Sequence, residues 1–153
     1  MHDTRDLDRL ASAFLDIVSF LNSPQRDDAL LREAGVSLDR ALFPLLVRLG
    51  MQGPLGVAEL GEQVGRDHST VSRQLAKLEA LALVDRFERD PDRRRRAAQL
   101  TDGGKSIVQA ITRARRRLLS RALAHWGAAD LTALADLNRG FADALIGFAR
   151  GRP

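Results

Sequence analysis

The 153-residue chain has no cysteine and no tyrosine, a single tryptophan, and lysine at only two positions, Lys77 and Lys105. Each absence closes a class of function. Without cysteine there are no disulfides, thiolate nucleophiles, cysteine metal sites or thiol redox sensors. Aromatic residues make up 5% of the chain, too few for the ring platforms on which single-stranded nucleic acids stack. His2, His68 and His125 are scattered without ligand spacing, so no metal site is expected. Gly103-Gly104-Lys105-Ser106 lacks the full spacing and the preceding buried strand of a phosphate-binding loop. No nucleophile–base set stands out, and the expectation is a non-enzyme without a cofactor. The longest apolar stretch, Ala41 to Val47, contains Pro44 and is too short to span a bilayer. The polar start, His2-Asp3-Thr4-Arg5-Asp6, is followed by an amphipathic pattern, so no signal peptide is expected. No membrane partner is expected, and the default location is the cytoplasm.

What is present is a globular composition, 44% hydrophobic and 29% charged, with a net charge of +4. A GC-rich codon bias accounts for arginine replacing lysine, but not for where the arginines cluster. Leu7, Leu10, Phe14, Ile17 and Leu21 follow helical spacing up to Asn22-Ser23-Pro24. Asp27 to Ala34 is a short helix closed by Gly35. Ser37 is placed as N-cap of a helix over Leu38 to Met51, which Pro44 either kinks or starts. Thr101-Asp102 caps a long helix expected to reach His125, and Gly127 opens a last one with a Leu131, Leu134, Leu137, Phe141, Leu145, Phe148 stripe. Arg113 and Arg115-Arg116-Arg117 read as a solvated face of the long helix, with a contribution to long-range attraction of DNA as the alternative.

The central segment is the informative one. A two-turn helix over Val57 to Val64, a break at Gly65-Arg66-Asp67 and a helix from His68 to Leu81 with Asp67 as N-cap make a helix-turn-helix. On a helical wheel Val71, Leu75, Leu78 and Ala82 form the inward arc. The outward arc holds Ser69, Arg73, Ala76 and Ala80, flanked by Thr70, Lys77 and Ser72. Short side chains let a helix sit deep in a groove, hydroxyls bond to bases or phosphates, and arginine forks onto guanine. A merely solvated face would carry more glutamate and long flexible side chains. His68, at the start of this helix, either contacts a phosphate or simply begins it. Leu83 to Glu88 and Arg96 to Leu100 bracket a polar turn, a hairpin whose run Arg93, Arg94, Arg95, Arg96 reads as a wing reaching the backbone or minor groove, against the plainer reading of a solvated charge run. Asp92 either orients Arg94 or forms the turn.

These residues resemble the MarR family of bacterial regulators: Gly65 to Arg73, Leu75 through Glu79 to Val84, and the wing pattern Asp92, Arg94, Leu100, Thr101 followed by Gly104. The resemblance implies a mainly α winged helix-turn-helix with a small β-hairpin wing over residues 36–101. It implies a helical dimerisation region from residues 1–35 and 102–153, which gives the two terminal apolar stripes a partner. It further implies a homodimer on palindromic double-stranded DNA, with Ser69, Thr70, Ser72, Arg73 and Lys77 at the major groove and Arg94 in the minor groove. His68 at the helix start and Arg93 and Arg95 on the wing join the candidate DNA-binding residues, and a repressor is the expected role. Many family members are released from DNA by a small aromatic or lipophilic effector. The alternative is a winged-helix protein-interaction module without DNA readout.

Overall fold

A computed structural model describes residues 2–90 and 95–151. The chain divides into two compact units, residues 1–115 and 116–153. Its order is α1 (Thr4–Leu21), α2 (Pro24–Ala34), α3 (Phe43–Gln52), β1 (Leu55–Gly56), α4 (Val57–Val64), α5 (His68–Ala80), β2 (Val84–Asp90), β3 (Arg95–Leu100), α6 (Asp102–Ala122) and α7 (Ala128–Ala149). The fold is mainly α, with one antiparallel sheet of order β1-β3-β2.

Local chemistry explains most boundaries. Asp3 caps α1 through the Arg5 amide at 3.0 Å. Pro24 begins α2, where its missing N–H costs nothing, so this helix starts three residues before the expected Asp27. The helix expected from Leu38 starts only at Phe43, and Ser37 caps nothing there. Asp39 holds a turn instead, accepting from the amide of Ala41 with its carboxylate and from that of Leu42 with its carbonyl, both at 2.9 Å. Of the two roles open to Pro44, the structure takes the second: it stands in the first turn of α3, where no backbone donor is required. The long helix α6 ends at Ala122 rather than His125, because residues 123–125 fold into a turn. The strands are longer than expected on the turn side, so Arg89 belongs to β2. The two-residue β1, pairing Leu55 with Ala98 and Gly56 with Ala97, was not expected at all.

The core sits between α3, α4, α5 and the sheet. Leu45, Leu46, Leu60, Val71, Leu75 and Leu78 are fully buried in it, and each large side chain removed from water contributes about 1.5–3 kcal/mol. Ala82, expected on the inward arc of α5, is exposed and follows the helix in a left-handed conformation, φ 57°. It closes a Schellman turn, with the Ala82 amide on the Glu79 carbonyl at 2.9 Å and the Leu83 amide on the Leu78 carbonyl at 3.0 Å. Gly104 lets the first turn of α6 pass against the backbone there: a Cβ at this position would run into the carbonyl of Leu83. Among the described residues no helix is long and apolar enough to cross a membrane.

Candidate nucleic-acid interface

The helix-turn-helix is fixed from both sides. Gly65 ends α4 in the left-handed region, φ 67°, which a side chain would strain. Arg66 in the turn donates one guanidinium nitrogen to the Ala41 carbonyl at 2.6 Å and to the Gln74 side-chain oxygen at 2.7 Å. It thereby ties the loop before α3 to α5. Gln52 and Gln63 exchange a reciprocal pair of hydrogen bonds at 2.7 and 2.9 Å between α3 and α4. With Val71, Leu75 and Leu78 seated in the core, the opposite face of α5 turns to solvent.

That face carries Ser69, Arg73 and Lys77, whereas His68 begins the helix on the side of Leu75. His68, Ser69, Arg73 and Lys77 are exposed, and Thr70 and Ser72 are half-buried at the flanks of the face. Asp67 organises the first turn. Its carboxylate accepts from the Thr70 amide at 2.7 Å, from the Ser69 hydroxyl at 2.7 Å and from the Thr70 hydroxyl at 3.0 Å. These bonds, led by the backbone one and helped by the Arg73 charge, bring the Asp67 carboxyl down to about 2 from 3.8. Arg73 in turn donates to the Thr70 hydroxyl oxygen at 3.4 Å. Sequence reasoning saw Asp67 only as a cap and missed Arg66 altogether. The Asp-x-Ser-Thr spacing was the available signal for the first; the second had none, because its partners lie 25 and 8 residues away.

The hairpin forms with Glu88 opposite Arg96 and Asp90 opposite Arg95, and an irregularity between Glu88 and Asp90. Arg93, Arg94 and Asp92 lie outside the described residues; Arg95 opens β3. Arg89 reaches back to Glu59 on α4 at 3.0 Å, and Glu59 also accepts from the Gly56 amide at 3.4 Å. The arginine run on α6 is not wholly a solvated face. Arg113, Arg116 and Arg117 are exposed, but Arg115 is half-buried. Burial, with the neighbouring Arg26 charge, pulls its guanidinium below the ordinary value.

The MarR family model matches residues 38–95, the stretch from before α3 into the start of β3. YxaD of Bacillus subtilis, described as an uncharacterized HTH-type transcriptional regulator, is 33% identical over 111 residues, covering 70% of this chain and 78% of that protein. The chain belongs to the MarR family of transcription regulators. A MarR family protein from Bacillus stearothermophilus shares the fold, with a TM-score of 0.79 at 21% identity, over 95% of this chain and 99% of the other. A probable transcriptional regulator from Pseudomonas aeruginosa is 28% identical with a TM-score of 0.55, over 76% of this chain and 89% of the other. The family stretch thus contains both α4 and α5 together with the buried residues that orient them.

Proposed function

We propose that this MarR family protein is a cytoplasmic, sequence-specific repressor that binds palindromic DNA as a homodimer and answers to a small effector. One observation carries the DNA reading. The face of α5 opposite its buried Val71, Leu75 and Leu78 offers Ser69, Ala76 and Ala80, with Arg73 and Lys77 reaching out from it. Such a face can enter the major groove, where short side chains allow approach and Arg73 can fork onto a guanine. His68, Ser69, Thr70, Ser72 and Lys77 are assigned to the same groove and its phosphates. The wing residues Arg93, Arg94 and Arg95 are assigned to the minor groove and backbone.

Homodimerisation through residues 1–35 and 102–153 is supported by apolar faces that each unit leaves to solvent. In α1, Leu10, Phe14 and Ile17 are exposed and no residue is buried; in α7, Leu131, Leu145 and Phe148 are exposed and none is buried. A second copy would cover them. Effector response is supported by a cavity of about 430 Å³ between the end of α3 and the start of α6, with Leu49, Leu100 and Val108 for an apolar body and Lys105 for an anionic group.

The decisive experiment is a selection of bound sequences from random double-stranded DNA, followed by salt titration of the preferred site. We expect an inverted repeat with half-sites about one helical turn apart, roughly 34–36 Å, and affinity falling steeply with salt. Absence of any selected sequence would remove the proposal.

A further inference from the structure

We infer that Asp67 sets the polarity of base reading: it accepts the hydroxyl hydrogen bonds of Ser69 and Thr70, so both side chains meet DNA as acceptors and select the amino groups of adenine or cytosine. The inference rests on the proposed DNA-binding role of α5.

The argument follows from where the protons are. A serine or threonine hydroxyl has one proton and two lone pairs, and an ionised carboxylate can only accept. The Ser69 and Thr70 oxygens lie 2.7 and 3.0 Å from the two oxygens of Asp67, so both protons point inward. The carboxyl titrates near 2 and is ionised at neutral pH. What faces outward is lone pairs. Those of Ser69 stand at the middle of the exposed arc, and one of those on Thr70 accepts from Arg73. In the major groove, adenine N6 and cytosine N4 donate, whereas guanine O6 and N7 and thymine O4 accept. Outward lone pairs can pair only with the first two. Turning a hydroxyl to donate to guanine or thymine exchanges a bond to a full charge for a bond to a neutral oxygen, which is the weaker of the two. Donating to a phosphate instead brings a second anion beside Asp67. The same network holds Arg73 against Thr70, leaving the rest of its fork for a guanine. The first turn of α5 therefore reads amino groups through its hydroxyls and guanine through its arginine.

The test uses the full chain and its selected DNA site. Ser69→Ala first identifies the base pair whose preference it relaxes. At that position the amino base is then replaced by its analogue without the amino group, purine for adenine or 2-pyrimidinone for cytosine. The wild-type protein should lose about three- to tenfold in affinity on amino deletion, the scale of one neutral hydrogen bond, and little on removal of the carbonyl oxygen of the paired guanine or thymine. Ser69→Ala should be indifferent. Asp67→Asn keeps the Oδ1 acceptor that caps the helix and also takes the Ser69 hydroxyl, but puts its amide nitrogen where Oδ2 holds the Thr70 hydroxyl and frees that proton, so the base pair whose preference Thr70→Val relaxes should lose its dependence on the amino group. A melting curve establishes that this variant folds; if it does not, the amino deletion with wild type and Ser69→Ala decides alone. Loss on deleting the paired carbonyl oxygen rather than the amino group, no Ser69-dependent position within a clearly selected sequence, or a folded Asp67→Asn protein with unchanged behaviour at the Thr70-dependent base pair overturns the inference and leaves the DNA-binding role standing. Failure of the wild-type chain to select any sequence overturns both.

Discussion

The hydroxyl of Thr101 donates to the carbonyl of Ala82 at 2.7 Å, and the same oxygen accepts from the Gly104 amide at 3.0 Å. One side chain thus joins the turn after α5 to the first turn of α6. The Thr101 amide adds a bond to the Leu83 carbonyl at 3.1 Å. Since α5 carries the candidate interface, the junction fixes how that helix sits against α6.

Removing this hydroxyl while keeping the shape should be felt as a lost cap. Thr101→Val is expected to destabilise the protein by about 1–2 kcal/mol, with Thr101→Ser recovering most of it, in urea denaturation followed by circular dichroism. Equal losses for the two variants would show that the methyl packing, not the hydroxyl, matters.

Ala82 gives a prediction of the opposite sign. An alanine in the left-handed region costs about 1–2 kcal/mol, while glycine there loses about 0.5–1 kcal/mol through the greater freedom of the unfolded chain. Ala82→Gly should therefore raise stability by about 0.5–1 kcal/mol. A melting temperature that stays level or falls refutes this account of the turn.

Asp67 should mark the acid limb of stability. Its carboxyl lies near 2 in the folded chain against 3.8 ordinarily, so its contribution is fully present above about pH 5 and is lost as the pH falls through 2. The stability difference between wild type and Asp67→Ala should be constant above pH 5 and shrink between pH 4 and 2. A difference that stays flat down to pH 2 would mean the carboxylate is not held as described.

Much of this was legible in the sequence for reasons that are local. Gly65 and Asp67 mark the two sides of the helix-turn-helix break because the left-handed turn and the N-cap are each set by one residue. The buried Val71, Leu75 and Leu78 follow from the helical period. What was not legible depends on distant partners or breaks a local preference. The strand β1 is two residues long and has no period to read; its existence depends on Ala97 and Ala98, some 40 residues on. Ala82 falls on the inward arc of a helical wheel, but the helix ends before it without a glycine to announce the end. Pro44 left two roles open, and the Asp39 turn beside it settles which one holds. In the candidate site, residue types and their common face were readable, whereas the direction of the Ser69 and Thr70 protons needed the geometry around Asp67.

Assembly should depend on the N-terminal stripe. Leu7, Leu10, Phe14, Ile17 and Leu21 are all at least 41% exposed, so the folded chain gains little from them until something covers them. Deletion of residues 1–23 should abolish the dimer in light scattering. A well-folded monomer of the full-length chain, or an unchanged dimer after deletion, refutes the proposed dimerisation region.

Arg73 and Arg94 should fail in different ways. Arg73 is exposed on the face of α5, one turn beyond Ser69, and its tether to Thr70 leaves donors of the planar guanidinium for a base edge. A bidentate contact to guanine is worth about 1–3 kcal/mol of discrimination, so Arg73→Ala should lower affinity for the selected site about 5- to 150-fold and flatten the preference at one base pair in each half-site. Arg73→Lys should restore charge but not the fork, recovering affinity for DNA in general without that preference. Arg94, assigned to the wing, would read groove width rather than a base pattern. Arg94→Ala should weaken binding across sequences and reduce the salt dependence, with any change of preference confined to flanking A·T steps. Salt-dependent titrations of each variant against the selected site and against a scrambled duplex separate the two behaviours. If both variants lose affinity equally for the two duplexes, α5 grips the backbone and does not read bases; if neither changes binding, the surface of α5 and the wing is not where this protein meets DNA.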